Sequence, residues 1–203
     1  DWVEITTPNL STHYVSPGGS HQFPFAGWAT AATGIQAAVD AAMPGDTVLV
    51  ADGLYQAGER MAQGRDNRLV IDKAIEVRSL NGPGAATIRG AAGSVRCAYV
   101  AAGARLAGFT LSGGHGGAYL DGGSLSNCVV TGCSDPGGWG AGINSQNGTV
   151  SECVVEYADG FLGAIYSHGG LVERCELRNN SMTGHGGGIY AQQGAVIRSS
   201  LIY

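Results

Sequence analysis

Five stretches of the chain repeat one phrase: AYVAAGARLAGFTL (98–111), GAYLDGGSLSNCVV (117–130), GINSQNGTVSECVV (142–155), AIYSHGGLVERCEL (164–177) and GIYAQQGAVIRSSL (188–201). Each opens on small or apolar residues and turns through Gly. It then places an aliphatic residue, a second core-type residue three positions later, and an aliphatic two after that. The first aliphatic column reads Leu106, Leu125, Val150, Val172 and Val196, spaced 19, 25, 22 and 24 residues apart. The next is Phe109, Cys128, Cys153, Cys175 and Ser199, followed by Leu111, Val130, Val155, Leu177 and Leu201. A repeat of about 22 residues marks a solenoid in which each unit is one coil. No coil can bury its apolar residues alone, but stacking like on like at a strand spacing of about 4.8 Å makes a continuous core. The expected fold is an all-β, right-handed parallel β-helix.

Composition agrees. Gly accounts for 35 of 203 residues without a three-residue period, and Pro for only 6, so the glycines serve turns and not a collagen helix. A chain 44% hydrophobic and 13% charged is too apolar for disorder. No apolar run approaches the roughly 18 residues of a membrane span. The formal charge of -5 gives no footprint for nucleic acid or anionic lipid. The chain opens on Asp1 without an export segment, which reads as a mature secreted form or an excised piece.

The five cysteines do not suggest a disulfide framework, which would leave one over. Cys128, Cys153 and Cys175 share one inward column and read as a ladder of buried free thiols, with Cys97 and Cys133 outside it. No CxxC occurs and no His shares the column, so no metal is expected. Outward, Glu152 falls over Arg174 and Glu156 over Arg178, opposite charges at neighbouring heights of the stack.

Ahead of the repeats, TGIQAAVDAAMPGDTVLVADGLY (33–55) predicts a capping helix over 33–43, with Thr33 as N-cap and Pro44-Gly45 as its end. Residues 1–32 read as an N-terminal extension and 46–203 as coils, all in one domain. This stretch, the opening YVSPGG (14–19) and the phrases LGAIY (162–166) and GGGIY (186–190) resemble secreted bacterial right-handed β-helix proteins of the pectate-lyase-like superfamily. The coils are also similar to repeats of polymorphic outer-membrane proteins. The resemblance implies a fold and a secreted or cell-surface address, not a reaction, because folds of this kind host lyases, hydrolases, adhesins and stalks.

Catalytic groups, if written into the repeats, would stand in the outward columns. A glycoside hydrolase needs converging carboxylates, yet no column stacks two acids, and Glu173 and Glu176 read as a solvated charged edge. A lyase needs a base and a cation to neutralise a uronate, but Lys73 is the sole lysine. His115, His168 and His185 all stand beside Gly and read as turn residues. The Asn9, Asn147 and Asn179 sequons read as turn asparagines. Ice binding would need Thr-x-Thr ladders, and none is written.

Coil length varies between the last inward aliphatic and the next strand, and such insertions gather on the face that binds. Asp135, Trp139, Tyr157, Asp159, Phe161 and His185 lie in those segments, aromatics beside carboxylates that suit sugar rings. The expected function is a non-catalytic extracellular module with a structural, adhesive or display role and weak affinity for an extracellular polysaccharide. Polysaccharide lyase or hydrolase is the alternative, and no cofactor is implied. Tyr203 ends the sequence within a coil. The expectation is a truncated solenoid, or end-to-end self-stacking with Trp2, Val3 and Ile5 as the covering surface.

Overall fold

The computed structural model describes residues 10–203 and shows a parallel β-solenoid with one α-helix, Ile35–Ala41. Successive coils align their strands into three long sheets of eight, seven and seven strands, with a fourth of three. In the first sheet the inward column runs His13, Val48, Val77, Leu106, Leu125, Val150, Val172 and Ile197. In the second it runs Tyr55, Ile88, Leu111, Val130, Val155, Leu177 and Ile202. Period-two alternation along each short strand sends these side chains inward and their neighbours out. From Val48 to Val172 and from Ile88 to Leu177 the columns are essentially inaccessible to solvent.

Each of the five repeat coils bends between the first and second sheets at a single residue in the left-handed region: Gly108, Asn127, Glu152, Arg174 and Ser199, with φ of 49–77°. Asn147 and Asn179 occupy other corners at φ 55° and 54°, as their sequence context suggested, while Asn9 lies outside the described residues. Glu152 meets Arg174 at 3.2 Å and Glu156 meets Arg178 at 2.8 Å, as the outward columns predicted.

The last coil departs from the predicted alignment by one residue. Ile197, not Val196, stacks on Val172, and Ile202, not Leu201, stacks on Leu177. The cause is one extra residue in the turn between the third and first sheets: Ser167 to Val172 spans five steps, and the paired Ala191 to Ile197 spans six. Ser200 thereby takes the rung above Cys175, whose N–H it accepts at 3.2 Å. Arg198 moves over Glu173.

The N-terminal assignment also shifts. Thr12–Val15, within the stretch read as an extension, is the first rung, paired in parallel with Thr47–Val50. The helix is shorter than the expected 33–43, and its N-cap is Gly34 with no side-chain cap bond. Thr33 is diverted, its N–H and hydroxyl both meeting His21 Nδ1 at 3.1 Å. Ile35, Ala38 and Val39 face the core, and Lys73 Nζ donates to the carbonyls of Asp40 and Ala42 at the helix end. Trp2, Val3 and Ile5 lie outside the described residues.

Beneath the helix, the buried Asp46 accepts the N–H groups of Ser11 and Met43, both at 2.8 Å, and faces His13 Nε2 at 3.1 Å. Burial pushes the Asp46 carboxyl up, but the two N–H donors and His13 outweigh it and hold the group below its ordinary range. Its contribution to stability is therefore complete above the unfolded pKa near 3.8 and is lost as pH falls through the lower folded value. Asp46→Asn should cost about 1–3 kcal/mol in urea melts at pH 7. The gap to wild type should narrow as pH falls below the unfolded value near 3.8, and an unchanged gap in acid would contradict the assignment.

All five cysteines are free and buried. Cys128, Cys153 and Cys175 occupy successive rungs of one corner column, and Cys97 and Cys133 form a second neighbouring pair. Interaction with the adjacent Cys128 and Cys175 thiols, and burial, push the Cys153 thiol well above its ordinary value. Titration with a thiol reagent should detect five thiols in denaturant and next to none in the native protein. Cys153→Asp should abolish the cooperative thermal transition, since its charge would have no partner in the core.

Candidate functional site

The third sheet turns its polar face outward. Its strands Val95–Ala101, Ala118–Asp121, Ile143–Gln146, Ile165–His168 and Ile189–Gln192 carry one outward column of Tyr99, Tyr119, Asn144, Tyr166 and Tyr190. Two residues on, a second column reads Ala101, Asp121, Gln146, His168 and Gln192. Strand spacing forces like rings together: Tyr99 and Tyr119 stack with centroids 6.1 Å apart, Tyr166 and Tyr190 with centroids 5.9 Å apart. Hydrogen bonds knit neighbouring coils, the Tyr99 hydroxyl to Asp121 at 2.9 Å and the Tyr166 hydroxyl to Gln192 at 3.1 Å. Burial and the Asp121 carboxylate push the Tyr99 phenol up to about 12, so it stays a donor at neutral pH.

Asn144 interrupts the ladder, and its amide donates to the Trp139 carbonyl at 2.9 Å. The Trp139 ring packs against Tyr166, centroid to centroid 5.0 Å. Tyr166, also flanked by His168 and Tyr190, is buried, while Trp139 keeps 49% of its surface exposed.

Beside Trp139 the face deepens into a groove of about 450 Å³, between the hairpin turn at Gln63–Arg65 and the segment 135–139. The wall is built from charges. Arg65 Nη1 meets Asp135 Oδ2 at 2.7 Å, His115 Nε2 meets Asp135 Oδ1 at 3.2 Å, and Arg65 also donates to the His115 carbonyl. Any side chain at Gly138 would strike the Asp135 carboxylate, so only Gly lets the backbone pass over it. Arg96 lies over the Tyr119 ring, 4.9 Å from its centroid, and donates to Asn67 Oδ1 at 3.1 Å. Asn67 is held by the hairpin carbonyls of Arg65 and Ala62. Burial, then the neighbouring Arg65 charge, pull the Arg96 guanidinium down to about 10.

Of the six residues singled out in sequence, Asp135 and Trp139 line this groove, with Asp135 in the wall and nearly buried. The other four do not line it. Tyr157 is an exposed corner residue at φ 52°. Asp159 is exposed on the rung between Ser134 and Ser181, and Phe161 lies against Gly184. His185 is exposed, its carbonyl accepting the Gly163 N–H. The insertions that carry these residues are not irregular loops: Ser134–Trp139, Asp159–Leu162 and Ser181–Met182 pair in parallel as the fourth sheet.

Sequence reasoning missed the tyrosine column, Arg65, Arg96 and Asn67. The column was legible as an aligned Tyr in four of the five repeat copies. The arginines had no such signal: Arg65 comes from a strand that meets the repeats through parallel pairing, and Arg96 stands two residues before the first repeat phrase begins. His168, read as a turn residue, sits on a strand with its ring stacked 6.4 Å from Tyr166.

The acidic edge is paired. Arg198, then Arg174, hold Glu173 below its ordinary range, and Tyr203 and Arg178 do the same for Glu176. Among the described residues no three His, Cys, Asp or Glu side chains are grouped to hold a metal ion, and no helix is long and apolar enough to cross a membrane. No family model matches the chain, and no curated protein or solved structure is similar enough to count as a match.

Asp135→Ala should leave Arg65 without its carboxylate, at a cost of about 1–3 kcal/mol. Hydrogen exchange should accelerate in residues 60–67 and 134–139 and stay at wild-type rates in the first sheet. Uniform acceleration would mean that Asp135 supports the whole stack and not the groove.

Proposed function

We propose that this chain is a non-catalytic extracellular module of the right-handed, pectate-lyase-like kind that binds a glycan along the outer face of its third sheet. The observation that carries this reading is the outward ladder of Tyr99, Tyr119 and Tyr190, with Trp139 exposed over the buried Tyr166 and with Asp121, Gln146, His168 and Gln192 alongside. Aromatic surface gives sugar rings an apolar contact, and amides, carboxylates and phenols beside it supply donors and acceptors for hydroxyls. The columns run along the solenoid axis, so the contact repeats from coil to coil and fits an extended chain better than a single sugar. A right-handed coil agrees with the hand that parallel crossovers take in about 98% of cases. A surface or secreted address is the setting in which such a face meets polysaccharide.

One observation favours polysaccharide cleavage as a second reading. Two arginines line the groove, and behind its wall His115 meets the Asp135 carboxylate, residue types that β-elimination uses as cations and base. One screen separates the two. Retardation in gels containing neutral or uronate polysaccharides is expected without ultraviolet-absorbing unsaturated products or new reducing ends. Trp139→Ala and Tyr119→Ala should each weaken binding tenfold or more while leaving the thermal midpoint within a few degrees. Turnover on any polysaccharide would replace binding with catalysis, and retardation unaffected by either substitution would move the site off this face.

A further inference from the structure

Arg96 is an unusual cation. It is 7% exposed, yet among the described residues no carboxylate lies within ion-pair distance of it. Its contacts are a neutral amide and an aromatic face. The acidic residue that lines its groove, Asp135, is already engaged by Arg65 and His115. Two guanidiniums against one carboxylate leave the groove one positive charge in excess, in a chain whose formal charge is -5. A buried charge without a counter-ion is costly, and Arg96 lines the groove with a single hydrogen bond, from Nη1 to Asn67. Asn67, fixed by hairpin carbonyls, keeps that group aimed.

The geometry points to Arg96 as an anion subsite that accepts one oxyanion substituent of the ligand, a carboxylate or a sulfate ester, in the groove that it shares with Trp139 beside the tyrosine face. A flat guanidinium pinned on a tyrosine ring presents its free edge to two oxygens of such a group, and a pair formed away from bulk water is stronger than one on the surface. The inference rests on the glycan reading only for the body of the ligand; the anion itself can be tested alone.

Sulfate alone is the first probe. At constant ionic strength it should shift the Arg96 side-chain and Trp139 indole resonances saturably, where chloride does not. The second is a set of oligosaccharides of equal length, neutral, carboxylated and sulfated. Wild-type protein should prefer at least one charged member tenfold or more over the neutral one, and Arg96→Gln should erase that preference while keeping neutral binding. Gly137→Asp provides an arm that does not touch Arg96. Gly137 lines the groove, and a Cβ there meets open space, so the fold tolerates the substitution and the new carboxylate repels the anion. It should lower charged-ligand affinity tenfold, and Gly137→Asn should not. Sulfate shifts with no sugar binding would keep the subsite and overturn the glycan face. Equal affinity for neutral and charged sugars, with no response to sulfate, would overturn the subsite and keep the face.

Discussion

Everything in this molecule depends on one constraint: each coil must hydrogen-bond to the next in parallel and in register. A slip of one residue would turn every inward side chain outward, so the inward columns and the outward tyrosine ladder are two consequences of the same pairing. Stability in such a stack is close to a sum of nearest-neighbour interfaces. The corners enforce the register. Non-glycine residues such as Glu152, Arg174 and Ser199 adopt left-handed backbone there, a conformation held only where the neighbouring coils demand it. The Glu152–Arg174 contact joins two of these corners across adjacent coils.

The fold was readable because stacking writes the same residue type into the same column. Leu106 through Val172 and the Cys128–Cys153–Cys175 ladder could be aligned by eye. The reading failed where a coil changed length or lost its pattern. An extra residue in the turn before Val196 moved the last coil by one position, and nothing in GIYAQQGAVIRSSL marks which residue is extra. His13 stood in the aliphatic column of the first rung and hid that rung inside an apparent extension, since its partner Asp46 is 33 residues away. The fourth sheet escaped notice because its strands gain their order from stacking upon one another, with little alternation of their own.

The site was legible only in part, for a related reason. Column logic finds residues that repeat, and the tyrosines repeat. The groove is made by residues that occur once: Arg65 and Arg96 from early coils, Asp135 from an insertion, and Asn144 where the ladder breaks. Such residues converge through pairing across 70 positions of sequence between Arg65 and Asp135, a distance that no local pattern spans. The repeats therefore supply a regular platform, and the exceptions to the repeat build the groove set into it beside Trp139.

The fourth sheet shows how such a platform can change. Because each insertion leaves its coil after the second sheet and rejoins at the third, it lengthens the perimeter without altering the cross-section of the core. Lengthening the same corner in adjacent coils adds backbone that pairs with itself, so new surface arrives already ordered. Variation of the groove edge is thus uncoupled from the packing of the stack. A lineage could widen, narrow or re-charge the groove one coil at a time while the interior columns stayed under their own, separate selection.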